Sequence, residues 1–154
     1  MDQRAEIVGR INHLIGTLVN GQRGYKKASQ AAKDPRLRSL FDDYAHQRVR
    51  FLRQLREAVR RLCQFEPHDT TSAVGALHRA WIDLRIAVSR DDRAILAECE
   101  RGEDSAMHQY AKAVHDRLAP PLSEIISHQY HEVKSAHDRI HHLRIVAKAA
   151  YTHG

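Results

Sequence analysis

Apolar residues at helical spacing run through almost the whole of this chain, and no segment alternates with the period of a strand over a useful length. From Ile7, the positions Ile11, Leu14, Leu18, Tyr25 and Ala28 form one stripe, as expected of a long helix that buries one face. A second helix begins at Asp34–Pro35, where an aspartate suited to capping precedes a proline at the first helical position. Its stripe is Leu37, Phe41, Tyr44, Phe51, Leu55, Val59 and Leu62, broken at Arg48. After the polar stretch "QFEPHDTTS" comes a shorter stripe of Val74, Leu77, Trp81, Leu84 and Val88. "SRDD" then opens a helix carrying Ile95, Cys99, Ala106, Tyr110 and Val114. "APP" stops it, because proline can start a helix but not continue one. The last stripe is Leu122, Ile125, Val133, Ala136, Ile140 and Leu143. The fold class is all-α, with four long helices and a short one between the second and third.

The loops near Asp34 and Pro120 are short, so each makes its flanking helices antiparallel neighbours. Between these pairs, roughly sixteen helical positions at ~1.5 Å each could run much of the length of a bundle. That is the long crossover connection of a ferritin-like four-helix bundle, with parallel second and third helices. The crossover helix, near residues 73 to 88, is expected to pack on the outside of the bundle through Leu77, Trp81 and Leu84, burying Trp81.

Residues 1–154 fit one domain, large enough to bury a core without staples. Seven glycines and four prolines leave little room for a turn-rich β protein. The opening "MDQRAEIVGR" has no apolar stretch of a secretory signal, and no apolar run approaches the ~18 residues needed to cross a bilayer. A cytoplasmic location without membrane insertion is the expectation, with Cys63 and Cys99 as reduced thiols. Neither cysteine has a register-matched histidine that would argue for a nucleophile.

The stretches "GYKKASQAAKDPRLRSLFDDYAHQRVRF", "GALHRAWIDL", "ERGEDSAMHQY" and "KSAHDRIHHLR" together resemble an uncharacterised bacterial family of four-helix-bundle proteins. The resemblance covers nearly the whole chain and implies a ferritin-like bundle. It implies no reaction, because a fold does not by itself assign one.

A ferritin-type di-iron site needs a Glu from each of two helices and a Glu-x-x-His pair from each of the others. The first helix offers only Glu6, near one end, and neither the second nor the last carries Glu-x-x-His. Three residues instead interrupt apolar stripes, namely Arg48, Glu103 and His137. Counting from the loops sets Arg48 level with Asn20 and Gly21, and Glu103 level with His137. With parallel second and third helices, residues about fifty-five apart should coincide, which brings Arg48 to Glu103. We therefore expect a mid-bundle polar layer of Arg48, Glu103 or Asp104, and His137, in which a guanidinium replaces a metal as the carboxylate's partner. Gly21, Gly24 and Gly102 would let neighbouring groups approach. The competing reading is a cation (Fe, Mn or Zn) on Glu103, Asp104 and His137.

In the last helix, His128 and His131 share a face, as do His137 and His141, so each pair has the spacing of a surface metal site. "RVRFLRQLREAVRRL" puts Arg50, Arg53, Arg56 and Arg60 on an outer stripe, interrupted by Glu57. With a net charge of +6, it makes nonspecific DNA a candidate partner beside a second copy of the chain or another protein. Two readings of function follow. One is a non-catalytic association or stress-related module, and the other a metal-dependent oxidase or metal-storage protein using the mid-bundle Glu, Asp and His.

Overall fold

The computed structural model describes residues 3–63, 91–116 and 118–152. They form four α-helices, α1 (Gln3–Ala31), α2 (Pro35–Cys63), α3 (Asp92–His115) and α4 (Leu122–Thr152). The expected crossover helix with Trp81 lies outside the described residues.

Local chemistry sets the helix starts. Asp34 Oδ1 accepts the backbone N–H of Arg36 at 2.9 Å, one residue past Pro35, whose missing N–H costs nothing in a first turn. Asp91 caps α3 in the same way, accepting the N–H of Ala94 at 3.1 Å from an extended backbone.

Packing then orders the helices around a square. α1 lies beside α2 and α3, and α4 lies beside α3 and α2, so α2 and α3 sit on a diagonal. The backbone N–H groups of Lys33 and Asp34 both donate to the Asp92 carboxylate, at 2.8 and 2.9 Å. This fixes the α1–α2 turn against the start of α3. At the far end, Arg10 of α1 pairs with Asp116 beyond α3 at 2.5 Å. α2 and α3 therefore start at the same end and run parallel, while every neighbouring pair is antiparallel.

The core is in two pieces. One contains Ile11, Leu14, Ile15, Leu18, Phe51, Leu55, Val59, Tyr110, Ile126 and Val133. The other, nearer the α1–α2 turn, contains Tyr25, Ala28, Phe41, Ile95, Leu96, Cys99 and Ile140. Each fully buried aliphatic or aromatic side chain contributes about 1.5–3 kcal/mol through removal from water, so either piece is a substantial source of stability. On α3 the stripe ends differently from the expectation. Ala113 is buried and Val114 is 38% exposed, because the helix has rotated its smaller residue inward.

Candidate functional site

Between the two core pieces lies a layer of polar side chains. Arg48 and Glu103 are each 1% exposed, and Arg48 Nη2 donates to Glu103 Oε1 at 2.5 Å. The pair crosses the bundle's diagonal, from α2 to α3. α1 completes the layer: the Tyr25 hydroxyl donates to the same Glu103 oxygen, and the Arg48 guanidinium stands 5.6 Å from the centre of the Tyr25 ring. Arg48 Nε also donates to Gln47 Oε1 at 3.3 Å. Glu103 Oε2 is buried without a hydrogen-bond partner, so the carboxylate is held from one side only.

Burial and this charge pair set the local proton affinities. Burial works most strongly against the Arg48 cation, but the facing Glu103 carboxylate together with Tyr25 and Tyr110 raises the guanidinium above its ordinary value. Burial pushes the Tyr25 hydroxyl well up, and Glu103 adds to the effect. Burial, followed by the carboxylates of Glu103 and Glu98, likewise holds Cys99 as a thiol. These are the properties of a closed, charge-compensated site without an activated nucleophile.

Asp104 and His137 belong elsewhere. One residue along a helix turns the side chain by about 100°, so Asp104 faces outward where Glu103 faces inward. His137 Nε2 meets Asp104 Oδ1 at 2.7 Å and its Nδ1 meets Asp138 Oδ1 at 3.1 Å, on the seam between α3 and α4. One helical turn along, His141 pairs with Glu100, which Arg144 also contacts, and the two imidazoles stack with centroids 6.1 Å apart. Partial burial opposes the His137 cation, yet hydrogen bonds to Asp138 and Asp104 prevail and raise its pKa. Partial burial also opposes the Glu100 anion, yet His141 and Arg144 prevail and lower its pKa. The expected single layer of Arg48, Glu103, Asp104 and His137 is thus an inner pair and an outer seam at one level of the bundle.

The same rotation separates the three candidate metal ligands. Glu103 is turned onto a permanent cation, while Asp104 and His137 face the seam. Among the described residues, no group of three or more His, Cys, Asp or Glu side chains is placed to hold a metal ion. His128 and His131 are both exposed on α4, and His137 and His141 are engaged with carboxylates. Of the other acids on α3, Glu98 is largely buried and pairs with Arg101 at 3.2 Å.

Two polar participants are hidden from a reading of the stripes. Tyr25 looks like core, and only its hydroxyl, which needs a partner once buried, signals the layer. Gln129 is 0% exposed in the next layer. Its Oε1 accepts from the Tyr110 hydroxyl at 2.7 Å, and its Nε2 donates to the Phe51 carbonyl at 3.1 Å and to Gln54 Oε1 at 3.2 Å. A glutamine in the α4 stripe opposite a tyrosine is the corresponding sequence signal.

Gly21 lies against Arg48, but the space there is less tight than the sequence suggests. An added Cβ would stand 3.5 Å from Arg48 Cγ and 3.7 Å from Cδ, which is ordinary contact. Glycine within a helix costs about 1 kcal/mol relative to alanine. Gly21→Ala should therefore raise the melting temperature slightly, and a drop on thermal denaturation would show that Arg48 needs the extra room.

A family model described as domain of unknown function DUF2383 matches residues 6–116. No curated protein matches the chain. The matched span holds nearly all of α1, all of α2 and α3, with Tyr25, Arg48 and Glu103, and amounts to more than half of the sequence. This chain belongs to the DUF2383 family.

Proposed function

We propose that the chain is a ferritin-like bundle that acts by association, as an accessory or stress-related module, rather than by catalysis. The observation that carries this reading is the buried Arg48–Glu103–Tyr25 layer. A di-iron bundle gathers carboxylates and imidazoles around two cations at mid-height. Here the mid-height carboxylate is committed to a guanidinium, and a permanent positive charge beside it repels a dication. Parallel α2 and α3 on a diagonal support the ferritin-like connection, and the resemblance supports a bacterial source. Burial of the free thiol Cys99 fits a reducing cytoplasm. The described helices include none long and apolar enough to cross a membrane.

Metal analysis of untagged protein, loaded anaerobically with Fe(II) and then exposed to dioxygen, tests the reading. Iron, manganese and zinc well below one per chain are expected. Two irons per chain, oxidised and bridged, would overturn it in favour of a metal-dependent oxidase or storage protein.

A further inference from the structure

A dense run of cations lies away from the central layer. Between positions 23 and 38 stand Arg23, Lys26, Lys27, Lys33, Arg36 and Arg38, against Asp34 as the sole acid. All six cations are exposed. They lie on the last three turns of α1, the α1–α2 turn and the first turn of α2. Arg23, Lys26 and Lys27 are three and four residues apart, so they share one face of α1. Arg38 reaches across the hairpin to the Ser29 carbonyl at 3.2 Å, which brings the α2 charge beside them.

Three of the nearby acids already have partners. Asp34 pairs with Arg36 at 3.2 Å, the Asp92 carboxylate accepts the N–H groups of the turn, and Asp42 lies 3.6 Å from His46. Farther along α2, Glu57 contacts both Arg60 and Arg61.

We infer that the α1–α2 hairpin is a sequence-independent binding surface for the phosphate backbone of duplex nucleic acid. Exposed cations on long stems can neutralise successive phosphates, releasing condensed counterions. Two ways of reading bases or entering lipid are missing from the described hairpin. Tyr25 and Phe41 are buried and Tyr44 is half-buried against the Tyr25 ring, so no aromatic side chain is fully exposed there, and among the described residues the exposed large hydrophobics (Val114, Ile145 and Val146) lie on α3 and α4. Insertion into a bilayer would need apolar side chains to bury alongside the charges, which leaves only electrostatic attraction as a route to lipid. The inference rests on the association reading and names a partner for it.

Anisotropy of a labelled DNA duplex, titrated with the full chain across a series of salt concentrations, provides the test. The triple variant Arg23→Glu, Lys26→Glu, Lys27→Glu should bind at least about tenfold more weakly, with the log–log salt slope smaller by roughly 2.7. An equal charge change elsewhere, Lys112→Glu, Lys134→Glu, Arg139→Glu, should leave binding within about threefold of the parent. Equal losses in the two variants would reduce the effect to net charge and overturn the inference. So would tighter binding to phosphatidylserine vesicles than to the duplex, or no salt-dependent duplex binding by the parent chain. Loss of the inference in this way leaves the association reading standing, since that reading falls only on the metal measurement.

Discussion

Arg48→Met should lower the stability of the bundle by about 3–5 kcal/mol, the cost of stranding one member of a buried ion pair. The substitution leaves the Glu103 carboxylate 1% exposed, with only the Tyr25 hydroxyl as a donor. Adding Glu103→Gln should restore part of the loss, because a neutral amide in that position carries no uncompensated charge. Denaturant unfolding of the two single variants and the double variant completes the cycle. A coupling near zero would show that the two side chains act independently and would eliminate the layer as a unit. The pair need not add net stability over a hydrophobic equivalent, since desolvation of both charges offsets much of their attraction. Its effect is on register. A slide of α2 against α3 by one turn moves the guanidinium ~5.4 Å from the carboxylate, whereas two apolar stripes would tolerate the slip.

The second large effect is expected at Gln129. Gln129→Leu keeps the volume but leaves the Tyr110 hydroxyl without its acceptor and takes a donor from the Phe51 carbonyl. The Phe51 carbonyl keeps its acceptor role within α2, while the buried Tyr110 hydroxyl is left unsatisfied, so a loss of about 1–3 kcal/mol is expected by chemical denaturation. Tyr110→Phe in the same background removes one orphan and should recover part of that loss. Recovery fails if the Tyr110 hydroxyl finds water or another acceptor, and the glutamine would then matter only through the backbone contact. Burial raises the Tyr110 pKa above its ordinary value, so the hydroxyl stays a donor at neutral pH.

The four long helices, the capped helix starts and vertical level were legible in the residues. Asp34–Pro35 and Asp91 announce their helices through caps, which act over three residues and need no tertiary partner. Level is equally local: the rise per residue is fixed, so counting from two loops places Arg48 beside Gly21 and, across the bundle, beside Glu103. Rotation is another matter. Each residue turns a helix by about 100°, and the side that faces inward is chosen by packing against neighbours, not by the helix itself. That choice turned Glu103 into the layer and Asp104 out to His137, and it buried Ala113 instead of Val114. Hydrogen-bond partners were hidden for a related reason. Whether Tyr25 or Gln129 serves as core or as a polar anchor depends on a separation near 3 Å between atoms on different helices, which only the assembled bundle sets.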